Sequence, residues 1–184
     1  MNTKGTSLAA LTLLSGLSVL TFTACSSTTT WKEYSSAEGK YSVSMPGSPK
    51  EQTQPLPLPN GSSLDMKLAQ LDLGKEAFVV AFVDFPGNQK PTAPVQTLLA
   101  ASIKGAVIQS INGTISNEKE TQVNGVPCRQ FQATGKYKSI DASMSGTYCF
   151  TGNRLYQVFA IGENTGKTFT EKADKYLASF KITK

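Results

Sequence analysis

"VPCRQFQATGKYKSIDASMSGTYCF" (residues 126–150) is the stretch on which the fold turns. It contains two runs in which apolar and polar side chains alternate, the period-2 pattern of a half-buried strand, with Lys138 and Ser139 between them. Their register can be tried on paper. If Tyr137 pairs with Ile140, then Thr134 meets Ser143, Ala133 meets Met144, Phe131 faces Gly146, and Cys128 meets Cys149. One face is then Cys, Gln, Thr and Ser while the other is largely apolar. A slip of one residue would exchange the faces, so this register is strongly specified. The alignment that sorts the faces also sets Cys128 against Cys149.

Working outward, Asn124 and Gly125 are a strong two-residue hairpin signal and fold "TISNEKETQV" (114–123) onto this unit. Gly152 and Asn153 lead in the same way to "RLYQVFAI" (154–161), which completes a meander. Beyond it, Phe169, Ala173, Tyr176, Leu177 and Phe180 form an apolar stripe at helical spacing, and Thr168 with Glu171 reads as a capping box. Before the meander, Val95, Leu98, Leu99, Ile103, Ala106 and Val107 recur at helical spacing through Ile111, with Thr92 as the expected cap. In "EAFVVAFVDF" (76–85), positions 78–83 are all apolar, so this strand should be covered on both faces.

Nearer the start, Asn60 and Gly61 signal another hairpin. Leu64, Met66 and Leu68 alternate, then Leu71 and Leu73 continue out of phase, which suggests a bulge at Ala69 and Gln70. Pro55, Pro57 and Pro59 cannot donate regularly and mark an edge or an irregular arm. Tyr41, Val43 and Met45 form a strand between a turn at Gly39 and Lys40 and a stop at Pro46 and Gly47. Trp31, Tyr34 and Tyr41 are expected to pack in this first strand region rather than to rest at a bilayer interface. The expected fold is α+β: a mainly antiparallel sheet of six or seven strands with helices packed across both faces, an α/β/α sandwich occupying residues 31–184 as one globular domain.

The amino terminus reads as an address. Lys4 is followed by residues 8–24, "LAALTLLSGLSVLTFTA", with no charged side chain, the layout of an export signal. Phe22, Thr23, Ala24 and Cys25 resemble the lipobox of bacterial lipoproteins. The resemblance implies a signal peptide over residues 1–24, cleavage before Cys25 and diacylglycerol attachment to the Cys25 sulfur. An ordinary signal peptide with a chance cysteine is the alternative. Two or three acyl chains hold a bilayer firmly, at about 0.8 kcal/mol per buried CH2. Ser and Thr at 26–30 cannot bury apolar surface, so residues 25–30 read as the lipidated cysteine and its tether. The expected location is outside the cytoplasm, lipid-anchored to a bacterial membrane on the periplasmic side, at an outer membrane or in a thylakoid lumen. In such a compartment Cys128 and Cys149 read first as a disulfide. Closing a loop of about 20 residues would contribute roughly 3 kcal/mol. Two unpaired buried thiols are the alternative.

Composition narrows the chemistry. Eighteen basic and thirteen acidic residues, dispersed along the chain, make it mildly basic without a Lys/Arg stripe, so nucleic acid is not an expected partner. The chain has no histidine, which excludes Ser-His-Asp and Cys-His catalysis and His-based zinc sites.

The segment "GKYSVSMPGSP" (39–49), with the element order that follows it, resembles the PsbP family. The family segment is similar to Gly-(Phe/Tyr)-x-(Phe/Val)-x-x-Pro followed by Trp; here Lys40 intervenes after Gly39 and Pro49 stands in the Trp position. The resemblance implies the sandwich fold. It also implies a non-catalytic role, since PsbP itself is an extrinsic lumenal subunit of the oxygen-evolving photosystem and cyanobacteria carry a lipoprotein form. It carries over no binding residue.

Other motifs read as structure. "IGENTGKTF" (161–169) imitates a phosphate-binding loop, yet only three residues separate Gly162 from Gly166 where four are needed, and Lys167 with Thr168 suits a helix entry. Glu118 and Glu120 share a strand face, with Glu120 set to meet Arg129 across the hairpin, which reads as a solvated edge strand with an ion pair. Asp72, Asp84 and Asp141 stand at strand ends or turns. No carboxylate cluster resembles a calcium loop, and Ser102 and Lys104 miss the Ser-x-x-Lys spacing. No metal, nucleotide or other cofactor is expected. The leading expectation is a non-catalytic lipoprotein that binds or stabilises a membrane-associated protein complex. A small-ligand or lipid-binding protein is the alternative and requires a gap of a few hundred Å3 between sheet and helix; a hydrolase using Ser and Lys or carboxylates ranks third.

Overall fold

Period-2 patterning over most of the chain produces ten strands and two helices among the described residues of the computed structural model, which are 30–58, 61–87, 91–163 and 167–183. The proposed signal peptide 1–24, Cys25, residues 26–29 of the tether, Asn60 and residues 164–166 of the loop-like motif lie outside the described residues. In chain order the elements are β1 (Lys32–Ser36), β2 (Tyr41–Met45), β3 (Lys50–Pro57), β4 (Ser63–Asp72), β5 (Glu76–Asp84), α1 (Val95–Ile111), β6 (Thr114–Val123), β7 (Val126–Tyr137), β8 (Ile140–Thr151), β9 (Arg154–Glu163), α2 (Lys167–Ser179) and β10 (Lys181–Ile182).

Seven strands form one antiparallel sheet in the order β3-β4-β5-β9-β8-β7-β6. The β7–β8 register is the one that sorts the faces: Tyr137 pairs with Ile140, Ala133 with Met144, Phe131 with Gly146 and Cys128 with Cys149. The two cysteines form a disulfide, with an S–S distance of 2.00 Å. The meander is held by turns in which both central residues take positive φ, Asn124 (51°) with Gly125 (78°) and Lys138 (49°) with Ser139 (70°), the twist that two-residue hairpins require. β5 lies inside the sheet and Phe78, Val80 and Val83 are fully buried, as its unbroken apolar run demanded. β3, with Pro55 and Pro57, is an edge strand.

The two sheet faces build separate cores. On one face α2 and the outer strands pack Phe169, Ala173, Tyr176 and Phe180 against Phe78, Val80, Tyr156 and Val158. On the other, Leu99, Ile103, Val107 and Ile111 of α1 pack against Phe131, Ala133, Met144 and Tyr148. Trp31 belongs to the α2 core, its ring edge-on to Phe78 at 6.2 Å with the Lys175 ammonium 4.4 Å from it, and Tyr34 lies 6.1 Å from Tyr41. Packing is therefore the role of the amino-terminal aromatics.

Four local expectations are corrected. The strand at Tyr41–Met45 does not join the main sheet; with β1 and β10 it forms a three-stranded sheet of order β1-β2-β10, because the residues after α2 return to pair Lys181 with Ser42 and Ile182 with Tyr41. No bulge interrupts β4, since Glu51 pairs with Ala69, Lys50 with Gln70, and Gln70 with Val79 in continuous register. Leu71 is out of phase with Leu68 because the two residues serve cores on opposite faces. Thr92 does not cap α1; Pro94 occupies the cap position, without a side-chain cap bond. Thr168 already lies inside α2, so it does not cap that helix.

Candidate functional site: an apolar groove beside α1

A seven-stranded sheet is too wide for one helix. Strands are spaced about 4.8 Å apart and a helix with its side chains is about 10–12 Å across, so a single helix covers two or three strands. α1 covers β6, β7 and β8. On the same face α1 does not extend over the middle of β4, β5 and β9, although Leu64, Val83, Leu155 and Ile161 on these strands join the α1 core. The three-stranded sheet and α2 both lie on the opposite face. The result is a groove of about 290 Å3 between α1 and the β4–β5–β9 part of the sheet.

Its floor follows from pairing. Leu68, Ala81 and Gln157 form one row across β4, β5 and β9, and Gln70, Val79 and Phe159 form the next. Met66 and Ile161 extend the apolar surface at the two ends, and Ala106, Gln109 and Ser110 of α1 make the wall. None of the lining side chains carries a charge. Gln70, Gln109 and Gln157 make no side-chain hydrogen bond to any described residue, while Gln54 touches only Gln52, at 3.5 Å. Gln157 is the notable member. It stands on the central strand, half-buried, between Leu155 and Phe159 on its own strand and between Ala81 and Tyr148 across the sheet. The Tyr148 hydroxyl beyond it is buried without a partner among the described residues, and burial pushes its pKa well up.

Two other clefts are closed by pairs. Between the small sheet and β3–β4 a polar cleft of about 280 Å3 is closed by pairs: the Tyr34 hydroxyl donates to Glu51 at 2.7 Å, and Lys67 is paired with Glu38. There burial, with Glu51 close by, raises the Tyr34 pKa, and burial pushes Tyr41 up to about 12. At the start of α2, Lys172 pairs with Glu76 at 2.8 Å and Lys75 with Glu163 at 2.9 Å.

The candidate residues of the sequence fall as follows. Glu118 and Glu120 pair with Arg129, which also reaches Gln96 of α1 at 3.4 Å; this is the edge-strand ion pair. Asp84 pairs with Arg154 and Asp141 with Lys136. Lys138 hydrogen-bonds Asp72, and with the Gly74 N–H it holds the carboxyl below the usual range. Lys104 is exposed on α1. Gly162 is a packing glycine, since a Cβ there would stand 2.3 Å from the Phe169 ring. Among the described residues no group of three His, Cys, Asp or Glu side chains is placed to hold a metal ion, and no helix is long and apolar enough to cross a membrane. The groove itself was missed from sequence. Its signal was Gln157, a lone amide inside an otherwise apolar strand.

The seven-stranded sheet with one helix on each face has a solved counterpart. The solution structure of cyanobacterial PsbP (CyanoP) from Synechocystis sp. PCC 6803 matches at a TM-score of 0.53, covering 94% of this chain and 98% of that one. The fold is PsbP-like. At 12% identity the PsbP likeness shows the fold alone and brings no binding residue with it. A protein of unknown function from Pseudomonas aeruginosa, PA94, matches more loosely, with a TM-score of 0.38 and 9% identity over 73% of this chain and 83% of that one. No family model matches the chain, and no curated protein matches it.

Proposed function

We propose that this chain is a non-catalytic lipoprotein, held at a membrane through Cys25, that binds or stabilises a membrane-associated protein complex. The observation that carries the reading is where folding begins. Trp31 is already packed on Phe78, six positions after Cys25. The five residues between reach at most about 17 Å when extended. A domain fastened so closely is confined to partners at the bilayer surface. The PsbP-like fold supports the reading, because the cyanobacterial neighbour is itself a PsbP. So does the pairing of the candidate carboxylates, Glu118 and Glu120 with Arg129 and Asp84 with Arg154, which leaves them as structural ion pairs.

The test is made in native membranes. Crosslinking followed by identification of the captured protein should return one membrane complex, and that complex should dissociate or lose abundance when the chain is deleted. Cys25→Ala should release the protein to the soluble fraction. If the variant stays membrane-bound, or deletion leaves every membrane complex unchanged, the proposal fails.

A further inference from the structure

We infer that the groove beside α1 is a binding site for an uncharged amphipathic small molecule, one with an apolar body of modest length and an amide-like or carbonyl head group. This goes beyond the partner-binding reading and does not depend on it.

Two independent features of the groove select this chemistry. The first is the missing charge. The chain carries 18 basic and 13 acidic side chains, and none of those among the described residues lines the groove. A charged ligand laid on Leu68, Val79, Ala81 and Phe159 would lose hydration and gain no counter-charge, so it is rejected. The second is the unpartnered amides. Gln157 is half-buried rather than enclosed, and its amide has no hydrogen-bond partner among the described residues, so it is available to a molecule in the groove. Its carboxamide offers two donors and one acceptor at the centre of an apolar floor. Gln70 on β4 and Gln109 on α1 offer the same groups at the two sides. The pattern is that of small-ligand sites, mostly apolar with a few polar groups that fix orientation. At about 30 Å3 for a water-sized unit, a volume of about 290 Å3 suits a molecule of roughly ten non-hydrogen atoms. A molecule of this kind partitions into bilayers.

The experiment uses the full mature chain in lipid nanodiscs and five photo-crosslinking probes, diazirine derivatives of octanamide, octanol, octane, octanoate and octylammonium, compared at equal bilayer loading. Mass spectrometry reads the labelled peptides. Octanamide should label the peptides carrying Val79, Phe159 and Ala106, and the two charged probes should label them at least about tenfold less. Gln157→Leu should lower octanamide labelling about tenfold and leave octane labelling unchanged or higher. Ala106→Phe, which fills the groove from the α1 side, should suppress both probes without changing the unfolding midpoint, and it supplies the test if the Gln157 variant does not fold. Equal labelling by the charged probes overturns the inference. So does labelling confined to other peptides, or octanamide labelling that neither substitution changes.

Discussion

Gly113 and Gly135 meet backbone to backbone: a Cβ added to Gly135 would stand 2.7 Å from the Gly113 Cα and 2.3 Å from the Ile111 carbonyl oxygen. α1 ends at Ile111, and Asn112 takes a left-handed conformation (φ 43°) that returns its N–H to the Ile108 carbonyl. The chain then passes directly over β7. This contact clamps the end of α1 to the β7 side of the sheet and so keeps the helix from extending over the middle of β4, β5 and β9. Because the obstacle is main chain, it cannot rotate away. Gly135→Ala should destabilise the protein by about 1–3 kcal/mol, read as a lower urea midpoint. Gly105→Ala, inside α1 with nothing within 4 Å of the added carbon, should stabilise by about 1 kcal/mol. If both substitutions move the midpoint in the same direction, the clamp is wrong.

The disulfide between Cys128 and Cys149 closes a segment with a sequence separation of 21. Reduction, or Cys128→Ala with Cys149→Ala, should cost roughly 3 kcal/mol. Unfolding curves with and without reductant check this, and the double variant should be insensitive to reductant.

Arg154 joins three parts of the molecule. Its guanidinium makes a two-point contact with Asp84 at 2.6 and 2.7 Å, donates to the Glu38 carbonyl at 2.8 Å and lies 4.4 Å over the Phe82 ring. Lysine keeps the charge but cannot make the planar two-point contact or the stacking. Asp84 is 45% exposed, so solvent screening limits the loss for Arg154→Lys to about 1 kcal/mol. A thermal melt should show it. The Glu38 contact ties the small sheet to the large one, so proteolysis of the turn after β1 should also quicken.

Ser139 sits at φ 70° in the β7–β8 turn, next to Lys138 at 49°. L-residues occupy this region at a cost that glycine escapes. Ser139→Gly should raise stability by about 0.5–1 kcal/mol, provided the Lys138–Asp72 pair at 2.9 Å is left in place. An unchanged or lower midpoint counts against the turn geometry.

Stability should fall on the alkaline side. Burial pushes Tyr41 up to about 12, and Tyr148 and Tyr176 are raised by the same cause. Unfolded tyrosines titrate near 10. Above that pH the unfolded chain has lost protons that the folded chain retains, so the stabilisation is complete below about pH 10 and declines as pH rises through the folded values. The urea midpoint measured between pH 8 and 12 should drop beyond about 10. Tyr148→Phe should flatten that decline. It should also raise neutral-pH stability by about 1 kcal/mol, because the hydroxyl is buried without a partner.

Local pattern carried the meander. The turn pairs at 124–125, 138–139 and 152–153 delimit its strands, and the two faces of residues 126–150 left one β7–β8 register open, which is the one found. The shift in β6–β7 pairing between Ile115 and Asn117 had no signal in the pattern. The apolar faces of α1 and α2 were legible for the same reason, since Leu99, Ile103, Val107 and Ile111 recur every turn and all are buried. The three-stranded sheet was not legible. β10 is two residues long, and nothing in Lys181 and Ile182 tells them to leave the end of α2 and pair with β2; that choice depends on the position of β2 once Tyr41, Val43 and Met45 are packed.

The sequence by itself determined the strands of the meander, the β7–β8 register and the facing of Cys128 on Cys149, because hairpin pairing is a short-range matter of period and turn. Only the tertiary structure decided where α1 comes to rest. The contact of Gly113 with Gly135 joins residues whose approach no periodicity encodes, and it decides which strands the helix crosses. Gln157 is an isolated polar residue in the chain and a groove-lining amide in the fold. The reason is physical: a helix covers only as many strands as its width allows, and the uncovered surface is a property of the packed whole.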